Sequence, residues 1–456
     1  MNHLNVRKCA LIVVALGSFL IPFMGSSLSI ALPLIQTDLN VDVILLGWIP
    51  TVFVLANAAF LLPFGRLADI HGRKKIFTYG VVIYTSASFM SAISPSGLFL
   101  VMGSFLQGWG CSLMFATGAA LLISVYPSDH RGEVLGFYIT SVFAGLFLGP
   151  LLGGFLAENL GWRSIFFFNI PLGLIILSLI LLRLKGEWVG SKDDKFDLKG
   201  SAMYVPSIIA LLYGVSSFGS DLGKVALLSG MVGLSIFIIQ EIKSLNPLIR
   251  LRELKRRVSA IPALTIFLIN VSITAIWTLL SLYMQDLRSL GPQMTALLLA
   301  VEPLMVAILS PPVGRLSDHV DSRIFSVVGM VLTTIGLLIL STLNLDTGLW
   351  VIVMGLILVG IGQALFSAPT TNILMSSMRK ENYGIASATL STMIYAGQTF
   401  SLGILLYIFA TFLGNVQITT ANFDLFLLSL KTAFLVFAVL SSAGLLIYLL
   451  TCKKSE

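Results

Sequence analysis

Long apolar runs, separated by short polar punctuation, dominate the chain. Apolar and polar residues do not alternate as they would in the ~10-residue strands of a membrane barrel. Each apolar run continues for about 20 residues, the length an α-helix needs to cross a ~30 Å hydrocarbon layer. Fourteen spans are expected, near residues 10–33, 45–65, 76–94, 98–126, 133–157, 164–183, 200–218, 224–242, 259–284, 294–313, 323–343, 347–375, 384–412 and 430–451. The first follows Arg7 and Lys8 in the manner of a signal peptide. It is too long for one, and a further span follows it, so it reads as an uncleaved anchor. The expected fold class is an all-α polytopic membrane protein solvated by the lipid bilayer.

Composition agrees. Of 456 residues, 57% are hydrophobic and only 11% charged, against about 25% charged in soluble domains. The net charge of +7 would suit a nucleic-acid partner, but the basic residues punctuate the apolar runs and form no separate patch. Their placement instead orients the chain. Of the 28 Lys and Arg, 24 fall on the side holding the N-terminus, and only Arg163, Lys224, Arg288 and Lys431 fall on the other. By the positive-inside rule the first side is cytoplasmic, with both termini there, in a cell membrane. Cys9, Cys111 and Cys452 are too few and too scattered for a disulfide framework or a metal motif. No His, Cys or paired-carboxylate constellation lies within a span, so neither an enzyme nor a cofactor is expected.

The chain repeats itself. GRLAD at 65–69 returns as GRLSD at 314–318, each after the second span of a six-span half. GWGCSLMFATG at 108–118 is echoed more weakly by GIGQALFSAPT at 360–370. Repeated halves are typical of secondary transporters. The expected domains are a six-helix bundle over 1–185, two extra helices with basic connectors over 186–258, and a second six-helix bundle over 259–456. The connectors read KGEWVGSKDDKFDLKG and NPLIRLRELKRR.

GRLADIHGRKK (65–75) carries the chemistry of a tight turn. Gly65 permits close helix approach, Asp69 can pair with Arg66 and Arg73, and its carboxylate could also face a helix N-terminus, where the dipole favours negative charge. Gly314, Arg315 and Asp318 repeat the pattern. An ordinary positive-inside loop is the plainer alternative. The stretch resembles the loop motif of the major facilitator superfamily. WIPTVFVLANAAFLLPFGRLAD (48–69), GWRSIFFFNIPLGL (161–174) and PLIRLRELKRR (247–257) resemble that superfamily's fourteen-helix drug:proton antiporter branch. GLFLGPLLGG (145–154) matches its fifth-helix antiporter motif at Gly145, Gly149, Pro150, Gly153 and Gly154. Glycines four apart let helices approach closely, and the proline bends the helix. The resemblance implies control of leakage and of that bend, while simple packing explains the same residues. Two family charges are missing. Met24 stands where the branch usually has an aspartate, and Ser104 where it usually has an arginine.

One ionisable group lies deep in a span. Glu302 sits within LLLAVEPLMVAIL (297–309), 12 residues before Gly314. At 1.5 Å per residue that is roughly 18 Å, near the midplane. Such an acid costs about 2.5–3.5 kcal/mol to insert, more than one ordinary hydrogen bond returns, about 0.5–1.5 kcal/mol. It suits a proton-coupling carboxyl or a counter-ion for a cationic substrate; a neutral carboxyl bonded to a neighbouring helix is the structural alternative. Mid-span polar residues Asn57, Gln107, Asn270, Gln363 and Gln398 either line a cavity or bridge helices. The resemblance places helices one, four, nine and twelve at the cavity, which favours Gln107, Asn270 and Gln363. Met24, Trp109, Tyr283 and Phe366 would add apolar contact, or would simply pack. The expected function is export of a small amphipathic or hydrophobic compound by alternating access, with protons as the expected second partner. A proton-independent facilitator or exporter of another solute, and a transport-inactive membrane sensor, are the alternatives.

Overall fold

The computed structural model describes residues 3–41, 43–191, 194–216, 221–244, 247–248, 257–412 and 423–452. Most of the basic connector at 247–257 lies outside the described residues. Among the described residues the chain is helical throughout. The N-terminal half comprises α1 (His3–Leu39), α2 (Val43–His71), α3 (Arg73–Ala92), α4 (Gly97–Val125), α5 (Arg131–Leu160) and α6 (Arg163–Leu182). A hairpin of α7 (Leu198–Ser216) and α8 (Asp221–Lys243) follows. The C-terminal half comprises α9 (Arg257–Ile273), α10 (Ala275–Leu282), α11 (Pro292–Leu299), α12 (Val301–His319), α13 (Ser322–Leu340), α14 (Leu349–Ser376), α15 (Tyr383–Phe412) and α16 (Phe423–Cys452).

Twelve helical stretches among the described residues are long and apolar enough to cross a membrane, fewer than the fourteen expected. The helices over the third and seventh expected spans fall outside that set. The third, α3, opens on Arg73, Lys74 and Lys75 and is rich in serine and threonine. α7 is short and carries Lys199 near its start. Two expected spans are also interrupted. The ninth breaks at Thr274 between α9 and α10 and ends in a wide turn at Tyr283–Leu287. The tenth breaks at Ala300, so that Glu302 is the second residue of α12.

The two halves are built alike. In the first, α1 packs along α5, α4 along α2 and α3, and α6 against α3. In the second, α14 packs along α12 and α13, and α9 against α15 and α16. Small residues set the closest approaches: a Cβ on Gly110 would meet Gly80 and Tyr84 of α3, and one on Gly362 would meet Gly329 and Thr333 of α13. With lipid outside, such packing is what holds helices together. The halves meet where α5 lies on α12 and α2 on α15. The α7–α8 hairpin leans on α2 and α15, where Tyr204 and Phe237 join a core with Leu61, Phe64 and Leu113.

Candidate functional site

The two copies of the GRL-x-D motif occupy equivalent places at one end of the bundle. Asp69, near the end of α2, accepts hydrogen bonds from the N–H groups of Gly384 (2.7 Å) and Ile385 (3.0 Å) at the start of α15. Asp318, near the end of α12, accepts from Gly132 (2.7 Å) and Glu133 (2.9 Å) at the start of α5. Each carboxylate thus satisfies orphan donors at a helix N-terminus, where the macrodipole favours negative charge, and each joins the two halves. The paired glycines allow it. A Cβ on Gly65 would overlap the Gly384 carbonyl, and one on Gly314 the Gly132 carbonyl.

Beside the first junction, Arg73 donates to Asp69 Oδ1 through Nε (3.1 Å) and Nη2 (2.7 Å). It also reaches Ser124 Oγ and the Lys380 carbonyl, each at 2.6 Å. Arg66 does not pair with Asp69; its Nη2 donates to Asp194 Oδ2 at 2.6 Å. In the second junction Arg315 bonds Glu133 Oε1 at 2.7 Å. Contact continues inward, with Gly136 against the Ser310 carbonyl and Thr140 Oγ1 donating to Ala307 O at 2.9 Å. Beside the first junction, Ser387 Oγ of α15 donates to Phe115 O of α4 at 3.1 Å.

Glu302 is buried, 5% exposed. The indole N–H of Trp277, on α10, donates to its Oε2 at 3.3 Å. Its backbone lies against α14, where a Cβ on Gly360 would press on the Glu302 carbonyl and on Met305. The residue therefore sits between two helices of the C-terminal half, its carboxyl on α10 and its backbone on α14, two residues past the Ala300 break. Trp277 was missed in the sequence, although a tryptophan inside an apolar span needs a partner for its N–H.

Several of the other expected cavity residues have their contacts elsewhere than at Glu302. Met24 faces α6 and α3: Asn169 Nδ2 approaches its Sδ at 3.3 Å, and Tyr84 Oη donates to Asn169 Oδ1 at 3.2 Å. Gln107 donates to Ser88 on α3 at 2.9 Å, within the N-terminal half. Asn270 donates to its own helix at Ile266 O (2.8 Å) and packs on Gly397. Phe366 packs on Gly329 of α13. Asn57 is buried near the Tyr395 hydroxyl of α15, Gln363 is buried, and Gln398 is half-buried. Trp109 packs edge-on against Phe60 and at a tilt against Phe64 of α2, and Tyr283 donates to Asn344 O at 2.6 Å. The fifth-helix glycines press on α1: Gly145 on Phe19 and Pro22, Gly149 on Phe23 and Ser26, Gly153 on Ser27. Ser27 Oγ also donates to Gly149 O at 2.9 Å. Pro150 and Gly154 sit half-buried beside this stripe. A groove of about 470 Å³ runs past Phe137, Pro311, Pro312 and Leu316 to Arg315 and His319; it is separate from Glu302.

Residues 14–240 and 262–456 match the Major Facilitator Superfamily. The chain is 26% identical to the riboflavin transporter RibZ of Clostridioides difficile over 98% of both chains. It is 30% identical to the multidrug resistance protein Stp of Mycobacterium tuberculosis, covering 90% of this chain and 77% of that one. In structure it is similar to the human organic anion transporter MFSD10, with a TM-score of 0.69 at 14% identity, over 97% of this chain and 99% of the other.

Proposed function

This chain belongs to the Major Facilitator Superfamily, and on that premise we propose that it exports a small amphipathic or hydrophobic compound by proton-coupled alternating access. It is a multi-pass membrane transporter and not an enzyme. The finer reading gives it fourteen crossings, with α3 and α7 completing the set and both termini in the cytoplasm. The split of 24 against 4 basic residues supports that count, because removing one crossing would scramble it. On this orientation both motif junctions close the cytoplasmic end, so the conformation is one closed to the cytoplasm.

The observation that carries the coupling proposal is the environment of Glu302. It is a buried carboxyl, bonded by the Trp277 N–H and seated on Gly360. Met24 and Ser104 leave no charge at the two other family positions. Trp277 on α10 meets the Glu302 carboxylate and Gly360 on α14 meets its backbone, and neither carries a charge of its own. A proton is therefore the charge that would neutralise it, received from outside in this state and released to the cytoplasm in the other. A cationic substrate competing for the same carboxylate would complete an exchange cycle.

The relatives support transport of organic compounds: one is named for multidrug resistance, which fits export, and another for riboflavin transport. Purified protein in liposomes tests the reading, with uptake of lipophilic cations, neutral drugs and riboflavin followed with and without an imposed pH gradient. Uptake of at least one compound driven by the gradient is expected. Transport of riboflavin or any other compound that is indifferent to the gradient would favour the proton-independent alternative.

A further inference from the structure

The connector after α6 reads in sequence as a charged linker. In the structure it is threaded into the first junction. The Glu187 carboxylate accepts from the N–H groups of Lys74 (2.9 Å) and Lys75 (3.2 Å), at the N-terminus of α3. Gly72 makes room for it. Its φ is +110°, a region that favours glycine, and a Cβ there would run into the Glu187 carboxylate. The Trp188 carbonyl accepts from Arg73 N at 3.0 Å, and the Asp69 carbonyl accepts from Gly190 N (2.9 Å) and Ser191 N (2.8 Å). The segment is thereby pinned to both ends of the α2–α3 turn.

From that anchorage it reaches the other half. Ser191 Oγ donates to the Glu381 carbonyl at 3.2 Å. Gly190 lies so close to the same carbonyl that a Cβ would overlap it. A few residues on, Asp194 pairs with Arg66. The guanidinium of Arg66 is 0% exposed, and its Nε and Nη1 have no hydrogen-bond partner among the described residues. Asp194 is therefore the countercharge that makes burial of Arg66 tolerable. A buried charge deprived of its partner destabilises whichever state buries it. Opening the junction would let water reach Arg66.

The segment is also continuous with α7. Asp197 Oδ1 accepts from Gly200 N at 2.8 Å at the start of that helix, and its Oδ2 accepts from Ser244 beyond α8 at 3.2 Å. The second junction has no such element among the described residues. Glu133 and Arg315 form its outer edge directly.

We propose that the connector between α6 and α7 is a strap that holds the cytoplasmic gate shut on its α2–α15 side. Asp194 neutralises Arg66 in the closed state, and Ser191 and Gly190 clasp the α15 end of the gate. The strap makes the α7–α8 hairpin part of the gating machinery and gives the closed state a lock on one side only. It rests on the cytoplasmic end being a gate that opens, and it is independent of whether protons drive transport.

The test uses the full chain in nanodiscs, with Cys9, Cys111 and Cys452 replaced and spin labels at Lys75→Cys and Arg379→Cys. Both of these positions are exposed, one in each half. Pulsed electron–electron distance measurement then reads the closed and open populations. Asp194→Asn is expected to raise the open-to-closed ratio by about tenfold, and Ser191→Ala by less, as expected for loss of a charged against a neutral hydrogen bond. Charge reversal, Arg66→Asp with Asp194→Arg, is expected to recover part of the closed population. Distance distributions unchanged in both Asp194→Asn and Ser191→Ala would overturn the strap. A wild-type pair that shows one distance under every substrate and pH condition would overturn the gate itself, which separates the two failures.

Discussion

The α2–α15 and α5–α12 junctions share one design and differ in how it is secured. Each sets an aspartate on a helix N-terminus across a glycine contact. In the first, Asp69 is fully buried, Arg73 grips it with two nitrogens, and the strap covers the turn. In the second, the position corresponding to Arg73 is Ser322, whose hydroxyl bonds only the Ser317 carbonyl at 3.0 Å. Asp318 is half-buried, and the flanking Arg315 is 62% exposed. The repeat has therefore kept the backbone geometry on both sides and the buried charge on one. One junction can act as the lock while the other acts as the hinge on which the halves turn.

The largest effect should come from removing the clamp. Arg73→Ala leaves Asp69 buried without its countercharge, a loss of about 3–5 kcal/mol for buried pairs. With the spin-label pair described above, the closed distance should nearly vanish, and transport should fall with it. Asp318→Asn should do less. It removes a charge at a helix N-terminus, up to ~2 kcal/mol in a partly buried site, so closed and open distances should coexist. An Asp318→Asn effect equal to that of Arg73→Ala would erase the asymmetry.

Arg315→Ala removes an exposed ion pair, for which about 0–1 kcal/mol is typical. Transport rates within twofold of the parent are expected; a collapse of activity would make Arg315 a second clamp. The smallest effect belongs to the opposite end. There Arg163 and the Trp162 N–H (3.0 Å) hold Asp38 and lower its carboxyl below the usual range, the Arg163 hydrogen bond acting most strongly. A depressed carboxylate contributes stability that is present above its unfolded-state pKa and is lost as pH falls through the folded-state value. Asp38→Asn should therefore flatten a slight loss of thermal stability seen only in the acidic range, and leave both gate distances alone.

Much of this comparison was legible in the sequence. The apolar runs gave the helices, and GRLAD with GRLSD marked two repeated turns and a helix N-terminus as one partner for Asp69, but not that these turns join the two halves. Charge placement gave the side on which they are expected to lie. The rotation of each helix was not legible. Helices apolar on every face carry no stripe that says which side meets a neighbour, so Gln107 and Phe366 were expected at a cavity but pack on α3 and α13. Asp69, three positions on, was read as able to pair with Arg66, but the partner of Arg66 is Asp194, 128 residues on. The strap was hidden for the same reason, because its anchorage is in backbone hydrogen bonds that Gly190 and Ser191 make without any signature, and its ion pair joins residues far apart in the chain. Glu302 stood out because a lone acid in lipid is costly wherever the helix points.

The measurement that bears most directly on the account is the pH-driven flux of Glu302→Gln in liposomes, alongside substrate-for-substrate exchange without a gradient. Glutamine keeps the size of the side chain and an acceptor for the Trp277 N–H, but it cannot release a proton. Proton-driven accumulation should be abolished while exchange continues, which shows a folded carrier that has lost coupling alone. Undiminished accumulation in Glu302→Gln would contradict the assignment.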